Sequence, residues 1–505
     1  MSNECVVLSR AENQALGIGR FAIDFLAGRF PDPAPAVFGK VEQFHLDSIA
    51  CAVSALAEGA NAPAVLRREA LEYRPREASH GAPLLGSRER VMPEKAVVAN
   101  SSAAREWDAN GTNFGYNPAR GATRGEFGHN DFYPVAVAAA QLRGLDGRQT
   151  LKAMILLDEI RGRLAEVFAL KNYKIDHVVH GAIGSAATYG AVLGATAEQI
   201  ESAIGLVVAH YVPFRAIRAG KQLSDSKGAS AAISAEVAVL SMRRAMRGFV
   251  GPADIFRNPE AIFCLFEKPA EKNSSPFDLA LSASGDDFAV MGMHFKLGLY
   301  EHQSAGAIQG LMDLLAKHPA LLDDPARIKR VRITIYEPAF GIIGDPAKRD
   351  PRTRQSADHS MVYIIATLLC KALRAHTAGW RELMLVPDDY NDQSLVDPLT
   401  RQIIERIEFR HGGPEYDAKY PDGIPTTLEI EHETLGNLSS GLVMYPEGHA
   451  RNTSGNLNSL LEHKFRKLSA LGVNDVDALY RRFTGMANKS AKDIAELYDF
   501  EIRSR

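Results

Sequence analysis

What the sequence has little of narrows it first. Only four cysteines occur in 505 residues (Cys5, Cys51, Cys264 and Cys370), and no two form a C-x-x-C pair. That excludes a disulfide framework and a zinc ribbon, and it supplies no thiolate set for an iron–sulfur cluster. No stretch approaches the roughly 18 uninterrupted apolar residues of a membrane-spanning helix. The opening "MSNECVVLSR" has an acid and no apolar run behind a basic start, so no signal peptide is expected. The chain reads as soluble and cytoplasmic, with reduced thiols. An excess of one charge is missing too. Lys and Arg number 58 against 61 Asp and Glu, a formal net charge of −3. Neither nucleic acid nor an anionic membrane is therefore expected as a partner, and a bound anion must be held by local positive groups. There is no Walker A loop, no dinucleotide fingerprint after a strand, no G-x-S-x-G elbow and no H-E-x-x-H. No cofactor and no metal is expected.

What is present is a long chain of ordinary composition. With 46% apolar and 24% charged residues it resembles an average soluble globular protein, and its length exceeds one ordinary core, so two or three domains are expected. The first half is helical in texture. "ENQALGIGRFAIDFLAG", "VEQFHLDSIACAVSALAEGA" and "LKAMILLDEIRGRLAEVFAL" carry apolar residues at three- and four-residue steps. In the third, Ile155, Ile160, Leu164 and Val167 make one apolar face, and Asp158, Glu159, Arg161 and Arg163 fall largely elsewhere. Thr196 followed by Gln199 is a capping-box signature. The small-residue run "SKGASAAISAEVAVLSMRRAMRGF" lets helices approach closely.

The texture changes near Pro269. The alternating stretches "IKRVRITIYEP", "IIERIEFRH" and "TTLEIEHE" predict strands. One helix, "MVYIIATLLCKALRAH", lies between them, and the last 50 residues turn helical again. No repeat or low-complexity tract occurs. The expected fold is mainly α: a large all-α helical domain formed by both chain ends (1–270 and 441–505), plus a smaller inserted α+β lid domain (271–440).

Several polar groupings stand out. Trp107 to Asp131 carries five glycines and two arginines with no periodicity. Its aromatics favour a buried, structured loop over disorder. In it, Asp108 and Thr112 lie four apart and His129 ends the loop. The alternative is that Asp108 caps a helix and His129 is a satisfied core histidine. "KIDHVVHGAIG" puts His177 and His180 three apart, a metal-ligand spacing without a signalled third ligand; the blander reading turns one inward and one to the surface. Lys227 opens the small-residue helix, where an ammonium opposes the helix dipole, so it is either an anion site or a plain surface lysine. Lys296 and His302 follow the texture change, and "DPRTRQSADHS" adds Arg354, Asp358 and His359. Cations and imidazoles without a metal or nucleotide motif suit side-chain chemistry on a small polycarboxylate.

These segments in order ("NGTNFGYNPARGATRGEFGHNDFYP", "DEIRGRLAEV", "IDHVVHGAIGSAA", "LSDSKGASAA", "RTRQSADHSMVY" and "YPEGHARN…EHKF") resemble the MmgE/PrpD family, which includes 2-methylcitrate dehydratase and cis-aconitate decarboxylase. The resemblance covers nearly the whole chain. It implies a helical large domain, a smaller mixed α/β lid, a homodimer, and metal-free lyase chemistry in the interdomain cleft. It also implies that Asp108, Thr112, His129, His177, Lys227, Lys296 and His302 face that cleft. Three places stand out against the family pattern: Ser226 stands where an aromatic is usual, "FKLGLYEHQS" lacks a proline common in relatives, and the "GHND" loop is longer than the decarboxylase version and so looks closer to the dehydratases.

The expected activity is a metal-independent lyase on a small hydroxy tricarboxylate, most directly dehydration of 2-methylcitrate to 2-methyl-cis-aconitate. Decarboxylation of a cis-aconitate-like acid, or epimerisation of an amino or imino diacid, would use the same carbanion-like intermediate; a non-catalytic carboxylate-binding protein is the remaining reading. Lys227 and Lys296, with Arg124 or Arg215, are expected to hold substrate carboxylates beside Thr112 and His302. Asp108 or a histidine would take the proton and another imidazole would protonate the leaving hydroxyl. His129 and His177 are the expected pair, in either order.

Overall fold

Apolar steps of three and four residues do fold as helices through the first half of the chain. The computed structural model describes residues 4–218, 222–344, 346–453 and 455–505. Helix α1 (Gln14–Leu26) starts on Asn13, whose side chain accepts from the Leu16 amide. Helix α2 (Pro35–Ala57) opens on a proline, where a missing N–H has no intrahelical partner to lose. After α3 (Asn61–Glu72), α4 (Pro93–Arg105) runs into the polar loop. The alanine-rich run forms α5 (Tyr133–Arg143). Helices α6 (Gly147–Val167) and α8 (Ala197–His210) flank α7 (Val178–Leu193). Both α6 and α8 open with reciprocal capping boxes, Asp146 with Gln149 and Thr196 with Gln199. The small residues of α9 (Ser226–Met246) let it pack against both α4 and α7. Helices hold 54% of residues and strands 11%, so the fold is mainly α.

The charged residues of α6, set apart from its apolar face, are inside the protein all the same: Asp158, Glu159, Arg161 and Arg163 are all buried. Buried charge is tolerated when paired, and here it is. Arg161 Nε donates to Asp158 (2.8 Å) and Arg163 Nε to Glu159 (2.7 Å). Glu159 also accepts from the amides of Ser282 (2.6 Å) and Ala289 (2.8 Å). The polar side of α6 thus fastens distant chain to the core.

Four short strands come next: β1 (Cys5–Leu8), β2 (Thr112–Phe114), β3 (Glu126–His129) and β4 (Leu279–Ser282). β1 pairs antiparallel with β4, and β2 with β3. The stretch after the texture change therefore returns to the start of the chain. Phe295, a little further on, stacks on Phe44 of α2 with ring centroids 4.0 Å apart, a contact worth about 0.5–1.5 kcal/mol beyond its burial.

The three expected strands, β5 (Ile328–Ile335), β6 (Ile407–His411) and β7 (Thr426–His432), form one sheet with a fourth that was not expected, β8 (Gly436–Val443), in the order β8-β7-β5-β6 with β5 and β6 parallel. Ile328, Val331, Ile333 and Ile335 of β5 are buried. Helix α10 (Ala305–Lys317) covers β7 and β8, and α11 (Met361–Ala375) packs on α10. Near the end of the chain α12 (Leu457–Ser469) packs on α2, which joins both ends of the chain in one helical layer. Among the described residues no single helix is long and apolar enough to cross a membrane.

Candidate active site

The polar loop after α4 is a hairpin, which sequence periodicity did not signal. Its strands are three and four residues long, too short for alternation to register. In the β2–β3 register Thr112 lies opposite His129. Gly115 bends the hairpin onto α6 with φ 76°, and a Cβ there would fall 2.8 Å from the Ala165 carbonyl. Trp107 anchors the loop by donating its indole N–H to Ser54 Oγ (2.8 Å). The hairpin walls a cavity together with His177 at the N-cap of α7, Arg215 and Arg218, Lys296 and the turn 301–303, and Ile342, Ile343, Lys348 and His359.

Asp108 is the hub of its charged side. It caps no helix. The ammonium of Lys296 donates to it, His359 Nε2 lies 3.1 Å away, Arg105 Nη1 3.3 Å and Lys227 Nζ 3.7 Å. Burial opposes its ionisation, but Lys296 and Arg105 outweigh that and hold the carboxyl well below the usual range. Lys227 is not a surface lysine: it is buried in the first turn of α9 and donates to Asp358 Oδ1 (2.6 Å). Burial pushes that ammonium down to about 8 against the pull of Asp358 and Asp108. Asp358, Asp108 and His359 each bring one ligand atom within 4.8 Å of the others, a spacing that could suit a cation. Lys227 and Lys296 already answer that negative charge with ammonium groups, so this donor set does not fit a metal.

The two expected proton carriers differ. His129 Nδ1 lies 3.0 Å from the Gly111 carbonyl, which can only accept, and Nε2 lies 3.2 Å from Arg105 Nη2, which can only donate. Both ring nitrogens are thus engaged and the tautomer is fixed. His177 packs edge-on to His129, with ring centroids 5.5 Å apart. Its Nδ1 makes no hydrogen bond and sits 3.4 Å from Asp176 Oδ1. Burial holds both imidazoles well below their usual range and so neutral. His180 is buried as well, with Nε2 2.8 Å from the Phe168 carbonyl. The expectation of one inward and one surface histidine is therefore replaced by two buried ones, of which His177 lines the cavity.

Thr112, Lys296, His302 and Arg215 also line the cavity. Arg215 keeps a buried Nη1 without a hydrogen-bond partner. His302 stacks on His294 (5.0 Å), which stacks on His449 (3.9 Å); face-to-face rings do not converge their lone pairs on a shared ion. Arg124 is not brought to the site. It is half exposed and donates to Glu267 (2.7 Å), because the turn between β2 and β3 carries it outward.

Several lining residues escaped the sequence reading: Arg105, Arg218, Glu301, Gln303 and Lys348. Arg218, three residues after Arg215, could have been found by spacing; its Nε donates to Asp176 (2.5 Å). Glu301 could not. Burial and the nearby Asp108 charge push it up to about 8, an outcome of contacts remote in sequence. The buried ammonium of Lys464 on α12 lies outside the cavity and was also missed. It donates to Asp47 and to the carbonyls of Ala109 and Lys296, the last at 2.8 Å.

A family profile described as the MmgE/PrpD N-terminal domain matches residues 21–274, and one described as the MmgE/PrpD C-terminal domain matches residues 300–481. The 2-methylcitrate dehydratase of Salmonella typhimurium is 24% identical over 66% of this chain and 65% of its own length. That of Escherichia coli is 24% identical over 63% of each. An alkylcitrate dehydratase of a fungal species is 24% identical over 70% of this chain and 67% of its own. The chain spans just under two thirds of the length of the bacterial relatives.

Proposed function

We propose a function from one premise: the chain belongs to the MmgE/PrpD family. We read it as a lyase that removes water from a small hydroxy tricarboxylate, with 2-methylcitrate as the substrate. The observation that carries this is the charge of the cavity wall. Among the described lining residues Arg105, Arg215, Arg218, Lys296 and Lys348 are cationic, against two carboxyls, Asp108 and Glu301. Glu301 is held neutral near pH 7 by burial. A chain of net charge −3 thus concentrates positive charge in one cavity, as binding of a polyanion needs.

In this reading Arg215, with its unpartnered Nη1, takes a substrate carboxylate. His177 takes the proton from the carbon next to a carboxylate. Asp176 beside Nδ1 favours the proton there and leaves Nε2 as the basic nitrogen. The enediolate-like charge that develops is met by the ammonium of Lys296 and the guanidinium of Arg105, fixed in place before reaction by Asp108. His129, with both nitrogens engaged, orients Arg105. The division of the chain belongs to the same proposal: residues 271–440 act as a lid over the helical body, supported by Ile342, Ile343 and Lys348, which reach the cavity from that stretch.

The test is incubation with 2-methylcitrate, citrate and cis-aconitate, with products followed by NMR and gas release. Formation of the unsaturated tricarboxylate and water from 2-methylcitrate is expected. Carbon dioxide released from cis-aconitate, without water loss from 2-methylcitrate, would replace dehydration by decarboxylation. No turnover and no thermal shift with any of the three would overturn the reading.

A further inference from the structure

We propose that Glu301 is the acid that protonates the leaving hydroxyl, with the Gln303 side-chain amide gripping the same part of the substrate. The inference rests on the dehydration reading above. That reading leaves the acid unassigned, because His129 has no free nitrogen and the ammonium groups of Lys227 and Lys296 donate to Asp358 and Asp108.

Three observations point to the turn that begins at Glu301. Glu301 lines the cavity and is buried, yet among the described residues it forms no ion pair, whereas Asp108, Asp176, Asp358 and Glu106 each face a cation. Its Oε2 accepts from the backbone N–H of Gln303 at 2.8 Å, a bond that positions the carboxyl without neutralising it. A buried carboxyl without a cation keeps its proton. The charged and titratable groups that influence it or feel it are Asp108, Lys296, Lys348, Tyr336 and Tyr420. Their balance leaves it protonated up to about pH 8.

The third observation is an unmet demand for hydrogen bonds next to it. Gln303 is 3% exposed and neither its side-chain N nor its O has a partner. Both ring nitrogens of neighbouring His302 are likewise unpartnered. Buried amides are seldom left unmatched in a folded protein. An oxygen-rich, uncharged part of a ligand, such as the hydroxyl of a hydroxy acid, would satisfy them. The cavity then has two walls: a cationic one for carboxylates, and a neutral donor corner for the group that leaves.

The step balances. His177 Nε2 accepts the proton from carbon, and the C–H electron pair becomes the new C=C bond. The C–O bond breaks with its pair on oxygen, and oxygen takes the Glu301 proton to leave as water. Imidazolium and carboxylate then exchange one proton through solvent, and both groups are reset.

The experiment is Glu301→Gln, which keeps size and a donor but has no proton to transfer. Calorimetric binding of 2-methylcitrate should match the wild type while kcat falls about 10²-fold or more. Wild-type kcat should also decline above about pH 8 as the acid is lost. A variant with kcat near the wild-type value overturns the proposal, as does one that turns over normally but binds poorly. If the variant does not fold, the pH profile decides: a kcat that stays flat to high pH overturns it. A wild type that dehydrates 2-methylcitrate while Glu301→Gln is unimpaired sinks the acid alone; a wild type that releases no water sinks the dehydration reading and the acid with it.

Discussion

The ammonium of Lys296 donates to the carboxylate of Asp108 although 188 residues separate them in sequence. The contact ties the hairpin loop after α4 to the segment that leads into α10, and it holds one acid among Lys296, Arg105, Lys227 and His359.

Replacing Asp108 by Asn leaves that buried positive charge uncompensated. Breaking a buried pair from one side costs about 3–5 kcal/mol, so the variant should melt markedly lower. A tricarboxylate should recover more stability in the variant than in the wild type, since an anion can stand in for the lost carboxylate. Thermal-shift curves with and without citrate check this. An unchanged melting temperature would mean that Asp108 is not the hub.

The two histidines at the cavity should separate in the same pair of assays. His177→Gln is expected to lower kcat by about 10²-fold or more with little change in melting, as removal of a general base does. His129→Gln breaks a bond to the Gly111 carbonyl and takes the acceptor from Arg105 Nη2. It should cost about 1–3 kcal/mol of stability. An inactive His129→Gln enzyme that melts like the wild type would return proton transfer to His129.

Acid should destabilise the fold well above the carboxylate range. His45, His180 and His449 are buried, and burial pushes them down to about 3, 4 and 3 from 6.5. Their folded-state values are depressed, so below pH 6.5 the unfolded chain takes up protons that the fold refuses. Stability is complete above about 6.5 and is lost as pH falls toward 4. At pH 5.5 each costs about 1.4 kcal/mol, together roughly 4 kcal/mol, against a total of about 5–15 kcal/mol for an ordinary domain. Melts followed by circular dichroism at pH 7.5 and 5.5 should differ strongly; equal midpoints would contradict the burial argument.

Lys464 should behave as a positioning residue. Lys464→Met strands Asp47 in the interior and should cost about 3–5 kcal/mol. Adding Asp47→Asn relieves the stranded charge and should restore most of the stability. Activity should stay low, because the carbonyls of Ala109 and Lys296 remain untied and the loop bearing Asp108 loses its tether. A double variant with full kcat/KM would reduce Lys464 to a purely structural role.

By itself the sequence determined the kinds of element and pointed to many of the polar residues that the fold gathers around the cavity. Three- and four-residue periodicity, the Thr196–Gln199 box and the alternation in "IKRVRITI" act within a turn or a strand, and each reappears as written. Asp108, Thr112, His129, His177, Lys227, Lys296 and His302 are picked out together by the family resemblance of their segments, since local pattern alone leaves Asp108 readable as a cap, His129 as a core histidine and Lys227 as a surface lysine. Tertiary structure alone decided how each of them is buried and paired. The charged face of α6 is buried because β4 and the hairpin cover it, and Arg124 leaves the site because its turn points away. His129 loses its free nitrogen to Arg105 at the end of α4, and burial together with the charge of Asp108, 193 positions earlier in the chain, pushes Glu301 up to about 8 against the pull of Lys296 and Lys348. Local patterns encode which face of an element is apolar. Protonation and pairing depend on burial and on charges brought together over long sequence separations, and no short-range pattern carries that information.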